Sequence, residues 1–323
     1  MKRILSVLLA LALMVSATAC GGSSSSSGST ASSAAAVDVN KTDLVIATAS
    51  EAVTLDPQAG WDGNSLNVMR QMYNGLVKMD GDMNIVGDLA ESWEFTSDTS
   101  VTFKLKQGIH FHNGEEVKAS DVVFSIQRAQ ASAKVKSFTA NIESVVADDD
   151  YTVTINTSIP YAPLMANLCH TANSIVSQKA VEEAGDNFSA APCGTGPFKY
   201  SESVVDNHIT LVKNEDYWKE NAPKLDGITF YLLGDESARL AALRTGDINL
   251  CSLSAMNLAD VERDANIKVI SYQSNDYTYL GFNLSSEKLQ DKRVRQAMSL
   301  AVDRDMIIDY VYNGEATVST FVA

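Results

Sequence analysis

The chain has 323 residues and a net charge of −15, with 45% hydrophobic and 20% charged residues. That balance is globular, and the acidity excludes binding to nucleic acid or to anionic lipid by charge, since either needs a basic footprint. Beyond a low-complexity start, roughly 290 residues remain, a length that suggests two domains.

The N-terminus carries Lys2 and Arg3, an apolar run from Ile4 to Val15, then small residues up to Cys20. A basic start, an apolar centre and a small-residue cleavage site are the layout of a secretory signal, here residues 1–19. The apolar run is about a dozen residues, short of the ~20 that span a bilayer. An uncleaved anchor is the alternative, and the chain is exported either way. Cys20 directly follows Ala17-Thr18-Ala19 and resembles the lipobox of bacterial lipoproteins, with Ala17 where a Leu is usual. The resemblance implies that Cys20 becomes the mature N-terminus and bears the lipid. Residues 20–42 then read as the lipidated cysteine and a tether, because 21–36 are almost only Gly, Ser, Thr and Ala. Such a stretch cannot bury enough surface to fold.

Beyond the tether, strand-like and helix-like segments alternate, which indicates an α/β architecture. Asp43 to Thr48 reads as a strand, and Leu55-Asp56-Pro57 breaks into a loop running through Gly60, Trp61 and Asp62. Leu66 to Tyr73 has helical apolar spacing and ends near Gly75. Val101, Phe103 and Leu105 alternate with polar residues as a half-buried strand does, Gly108 ends it, and Asn113-Gly114 marks a tight turn. Ser120 is the expected cap of a helix with Val122, Val123, Ile126 and Ala129 on one face. Asp148, Asp149 and Asp150 precede an alternating strand from Tyr151 to Ile155. They read as a solvated turn and not a calcium loop, because no further oxygen ligands follow at loop spacing. Ile209 to Val212 and Ile228 to Leu232 are the next strands. Asp235 caps a helix with Glu236 in its first turn and Arg244 in its last, Gly246 suits its C-cap, and Ile248 to Leu250 resumes a strand. Asp291 caps a helix whose Val294, Ala297, Met298 and Ala301 share a face.

No nucleophile elbow, zinc-protease helix, phosphate loop or dinucleotide fingerprint occurs, so nothing points to an enzyme or to a bound cofactor. His110 and His112 have the i, i+2 spacing that puts two imidazoles on one side of a strand, yet no third metal ligand lies at short range. They read as a strand end entering the Asn113-Gly114 turn, and no metal site is expected. Cys169-His170 is equally weak as a nucleophile and base, since adjacent side chains rarely face each other. Cys169 and Cys193 offer a disulfide in an oxidising exterior, a pairing that sequence cannot establish. Cys251 would then be a free, small, buried residue. The absence of a CxxC pair argues against structural zinc.

Five blocks carry a family resemblance. They are DLAESWEFTSDTSVTFKLKQGIHFHNGEEVKASDVVFSIQR (Asp88 to Arg128), GTGPFKY (Gly194 to Tyr200), VKNEDYWKENAPKLDGITF (Val212 to Phe230), ESARLAALRTGDINL (Glu236 to Leu250) and FNLSSEKLQDKRVRQAMSLAVDRD (Phe282 to Asp305). In this order they resemble the family 5 extracellular solute-binding proteins of ABC transporters, which include oligopeptide-, dipeptide- and nickel-binding members. The resemblance implies a two-lobed periplasmic-binding-protein-like fold, type II, with an inserted extra domain, closing on its ligand by hinge motion. Lobe I is expected from 43–82 and 194–281, a strand-rich insert from 83–193, and the start of lobe II from 282–323. Family members are longer, so the second lobe is expected to be incomplete, and their residues for ligand termini fall in the part not present. His112, in the FHNG turn, is expected to be structural. The implied role is a monomeric, lipid-anchored receptor on the outer side of the membrane that delivers short peptides to ABC permease subunits. A nickel chelate, an opine or an oligosaccharide are alternative ligands, and a surface sensor or adhesin is an alternative role.

Within this frame the loop Ala59, Gly60, Trp61 and Asp62 is the first candidate for ligand lining. Trp61 would supply apolar area and Asp62 a charge for a ligand amine. The competing reading places Trp61 in the lobe core and uses Asp62 as a helix cap. Thr195, Tyr277 and Tyr279 lie next to the expected crossovers and are weaker candidates. Gly194 and Gly196 are expected to serve backbone geometry.

Overall fold

The computed structural model describes residues 42–272 and 277–319. The signal, Cys20 and the tether lie outside the described residues. The chain opens with β1 (Asp43–Thr48), whose Val45 and Ala47 turn inward. Helix α1 (Gly63–Met72) follows the Leu55-to-Asp62 loop. It buries Val68, Met69 and Met72 along one face and stops at Tyr73, whose backbone turns extended. A two-stranded antiparallel ribbon comes next, β2 (Val77–Met79) with β3 (Ile85–Gly87).

The strands β4 (Ala90–Ser97), β5 (Ser100–Leu105), β6 (Ile142–Asp149) and β7 (Thr152–Thr157) form an antiparallel sheet in the order β4-β5-β7-β6. Val101, Phe103 and Leu105 of β5 are buried while their neighbours alternate outward, as expected for one covered face. That cover is helix α2 (Ala119–Ala131), which buries Ala119, Val122, Ser125, Ile126 and Ala129. Ser120 is not its cap. The helix starts two residues earlier, with Lys118 at the cap position, and the Asp121 carboxylate accepts the Lys118 backbone N–H at 3.0 Å, doing the capping from the third helical position. The acidic run is exposed as read from sequence, but Asp148 and Asp149 end β6 and the turn into β7 is made by Asp150 and Tyr151.

After α3 (Leu164–Leu168) and α4 (Gln178–Ala184), the chain builds a second sheet from β8 (Phe198–Val204), β9 (His208–Lys213), β10 (Gly227–Leu232) and β11 (Leu250–Cys251). Its order is β11-β1-β10-β9-β8, with β1 parallel to both neighbours and β10, β9 and β8 antiparallel. The parallel crossover from β10 to β11 is α5 (Glu236–Thr245), capped by Asp235, which accepts the Ala238 N–H at 2.8 Å, and closed by Gly246 at φ +83°. A left-handed φ at that position favours glycine. The last strand is shorter and later than expected, Leu250–Cys251 in place of Ile248 to Leu250. One apolar cluster joins the two sheets, from Met69 and Met72 of α1 through Phe103, Ile126 and Ile155 to Leu211 and Phe230.

Beyond α6 (Leu258–Val261) lie α7 (Glu287–Gln290), α8 (Lys292–Ala301) and α9 (Arg304–Val311). Asp291 caps α8 as expected, accepting the Arg293 N–H at 2.9 Å. The apolar side chains Val294, Met298, Met306 and Ile307 of this stretch are exposed. No helix among the described residues is long and apolar enough to cross a membrane.

Candidate functional site

The loop between β1 and α1 is held from several sides. Asp56 and Gln58 are buried in it, and both are met by Arg128 from the last turn of α2. The Arg128 guanidinium reaches Asp56 Oδ1 and Oδ2 at 2.6 Å each and Gln58 Oε1 at 2.6 Å, a bidentate fork with a third bond. Gln58 Nε2 donates to the carbonyls of Ala172 and Ser174. The Ser189 hydroxyl accepts the Leu55 N–H, and the Tyr73 hydroxyl donates to the Leu55 carbonyl at 3.0 Å. Burial, with Asp56 and Cys193 adding to it, raises the Tyr73 pKa well above the usual phenol value, so the hydroxyl stays a donor.

This framework presents Trp61. Its side chain is 57% exposed, which sets aside the core reading. One edge rests on Phe138, with centroids 6.3 Å apart and planes at 73°, and Phe138 stacks on His170 at 3.7 Å and 12°. Burial, and then the Arg70 charge, lower the His170 pKa to about 4, so the stack under Trp61 is uncharged near neutrality. Asp62 does what the competing reading assigned to it. Its Oδ1 accepts the Ser65 N–H at 2.9 Å and caps α1. Ala59 is exposed, with its N–H on the Asp56 carbonyl. At Gly60 a Cβ would come within 2.8 Å of the Thr54 methyl, so the loop is drawn tight there.

Thr195 lines no open surface. It is fully buried, and its hydroxyl donates to Asn74 Oδ1 at 3.0 Å. The segment around it lies against the end of α1, where a Cβ at Gly194 would be 2.2 Å from the Met72 carbonyl oxygen and one at Gly196 would be 2.4 Å from the Met72 carbonyl carbon. Both glycines therefore serve backbone approach. His112 fastens the same segment. Its Nδ1 accepts the Gly194 N–H at 3.4 Å, and its Nε2 lies 3.0 Å from the Gly196 carbonyl. One neutral tautomer, protonated on Nε2, satisfies both bonds. Burial lowers the His112 pKa to about 4. His110 is exposed at a bridge to Glu116, and among the described residues no group of His, Cys, Asp and Glu is arranged for a metal.

Tyr277 and Tyr279 are 46% and 71% exposed and face each other at 5.6 Å, while the ring beside Trp61 is Phe138. Cys169 and Cys193 are free thiols, not a disulfide. Cys169 closes α3, whereas Cys193 is buried beside the His112-Asn113 backbone. Burial raises both thiol pKa values. Cys251, expected to be buried, is only partly so. Sequence reading missed Asp56, Gln58 and Arg128 as a unit. An acid just before Pro57 in an apolar loop was a signal, but its partner is 72 residues away.

Comparison with known proteins follows the same lines. Residues 84–322 match the family described as bacterial extracellular solute-binding proteins, family 5 middle. The glutathione-binding protein GsiB of Pectobacterium atrosepticum is 31% identical over 280 residues, 85% of this chain and 54% of GsiB. The ABC transporter-associated periplasmic binding protein DppA from Helicobacter pylori, solved with the peptide STSA, has a TM-score of 0.75 at 30% identity, over 84% of this chain and 58% of DppA. NikZ from Campylobacter jejuni, solved with Ni(L-His), has a TM-score of 0.79 at 26% identity, over 87% of this chain and 57% of NikZ. The chain spans about half the length of the curated relatives it matches, 54% for GsiB. Its mixed α/β fold is that of the periplasmic binding proteins. By the extent of the family match, this chain belongs to the bacterial extracellular solute-binding proteins of family 5.

Proposed function

We propose that this protein is the substrate-binding component of an ABC importer, capturing short peptides outside the cytoplasmic membrane and delivering them to permease subunits. The observation that carries the reading is Trp61, a large aromatic side chain left open on a loop pinned by Arg128, Ser189 and the cap of α1. An exposed indole on a rigid support binds at little cost in conformational entropy. GsiB and DppA, the relatives named with glutathione and with STSA, support a short peptide as the ligand class. Residues 43–82 and 194–281 are assigned to lobe I, 83–193 to the insert and 282–323 to the start of lobe II. The strands support this division, since β1 and β8 to β11 build one sheet and β4 to β7 the other. Trp61, with Ala59 and Gly60 shaping its loop, lines the ligand face. Tyr277 and Tyr279 stand as a second aromatic pair for that face. Asp62 is a cap first, and its free oxygen is available to a ligand amine. Cys20 bears the lipid and the tether sets the receptor off the membrane.

The test is calorimetric titration of the chain with glutathione, with di- to pentapeptides and with a nickel–histidine chelate. Peptide binding that weakens about tenfold in Trp61→Ala, the scale of one lost aromatic contact, is the expected result. Binding of the chelate alone would overturn the peptide class, and no binding by a folded chain would favour a surface sensor or adhesin. Mass spectrometry of the exported chain should find a diacylglyceryl group on Cys20 and none in Cys20→Ser.

A further inference from the structure

Away from Trp61, three lysines gather around the buried residue Asp88, one of them on its carboxylate and one on its backbone carbonyl. Asp88 is 2% exposed. Its Oδ1 takes the Lys219 ammonium at 2.9 Å, its Oδ2 takes Asn74 Nδ2 at 2.7 Å, and its backbone carbonyl takes the Lys106 ammonium, which also donates to the Ala90 carbonyl at 2.9 Å. Lys78, from β2, completes the group, near enough to Lys219 for each to perturb the other's charge. Trp218 lies among them, with the Lys219 and Lys106 ammonium nitrogens 4.3 and 5.2 Å from its ring centroid. Its indole N–H is buried and has no hydrogen-bond partner among the described residues.

The charges do not balance. Neither Lys78 nor Lys106 has a carboxylate within 4.0 Å among the described residues, and both oxygens of Asp88 are already engaged. The next acid that Lys106 feels is Glu91, which is exposed. Burial and the neighbouring Lys219 charge lower the Lys78 pKa, as repulsion between like charges requires. Three ammonium groups and an unpaired indole N–H are all donors, and the ligand class that suits such a group is an acceptor with several oxygens and negative charge. We propose that Lys78, Lys106 and Lys219, with the Trp218 indole N–H, form a binding site for a small oxyanion of the phosphate class. The group opens to solvent through Lys78, which is exposed, and Lys219, whose side chain is 30% exposed. A free ion and not an anionic membrane surface is its ligand, because a net charge of −15 repels an extended anionic surface more than a single small ion. Thr195 belongs to the same hydrogen-bond network through Asn74.

The test titrates the full chain with inorganic phosphate at constant ionic strength. The readouts are the Trp218 indole N–H resonance and the thermal midpoint. A saturable shift of that resonance with a raised midpoint is expected. Lys78→Gln, a change at an exposed side chain that leaves the Asp88 pair intact, should weaken phosphate about tenfold, the scale of one charged hydrogen bond. Lys78→Arg should bind within about twofold of the parent, since the charge is kept. Lys134→Gln, on an exposed residue elsewhere, serves as the control. An indole signal that phosphate does not move, or Lys78→Gln binding phosphate as the parent does, would overturn the site. Sedimentation with phosphatidylglycerol vesicles without a response to phosphate would overturn the free-ion assignment.

Discussion

Arg128→Met isolates the tie that holds the Trp61 loop. Methionine keeps an unbranched apolar stem and removes the guanidinium, which lies 5.5 Å from the Phe188 ring centroid and gives two 2.6 Å bonds to Asp56 and one to Gln58. The Asp56 side chain is 9% exposed and that of Arg128 25%, so water cannot readily replace the lost partner. Removing one member of a buried pair costs about 3–5 kcal/mol, mostly the penalty of the charge left behind. At about 2–4 °C per kcal/mol for a domain of this size, the thermal midpoint should fall by roughly 10 °C. Neutralising the stranded partner, in Asp56→Asn with Arg128→Met, should recover about 1–2 kcal/mol, a coupling that a double-mutant cycle measures. Because the loop is tied through the same residues, Trp61 fluorescence should shift in the single variant below its melting transition. A midpoint within roughly 2 °C of the parent, or strict additivity in the cycle, would refute the reasoning.

Three further outcomes follow from the same contacts. His112 is neutral when folded, with a pKa lowered by burial from 6.5 to about 4. Above pH 6.5 the imidazole is neutral in both states; as pH falls towards 4 only the unfolded chain takes the proton, so stability declines. The loss is about 2 kcal/mol at pH 5, and urea melts should show it in the parent and largely lose it in His112→Gln. Gly196→Ala forces a Cβ to 2.4–2.6 Å from backbone atoms of Gln71 and Met72, none of which is a side chain that can swing away. It should cost about 3 kcal/mol, read by chemical denaturation. Asp62→Ala removes the cap of α1 and should lower stability by about 1 kcal/mol, with Asp62→Ser recovering most of it.

Local patterns determined the elements. Alternation in Val101, Phe103 and Leu105, and the cap and glycine of the helix at Glu236, were legible because each depends on neighbours in the chain. The five ordered blocks were enough to indicate the family, and the glycines at 194 and 196 were rightly read as backbone positions. Long-range pairing was not legible. No local signal says that Asp56 meets Arg128, that Thr195 turns inward to Asn74, or that Lys106 and Lys219 meet at Asp88. The same holds for Cys169 and Cys193, for which the sequence left a disulfide open and the fold leaves both as free thiols. Trp61 shows the division most plainly. Sequence identified the loop, but its exposure depends on Phe138, some 80 residues later in the chain, and only the packed structure decides whether an indole is covered or open.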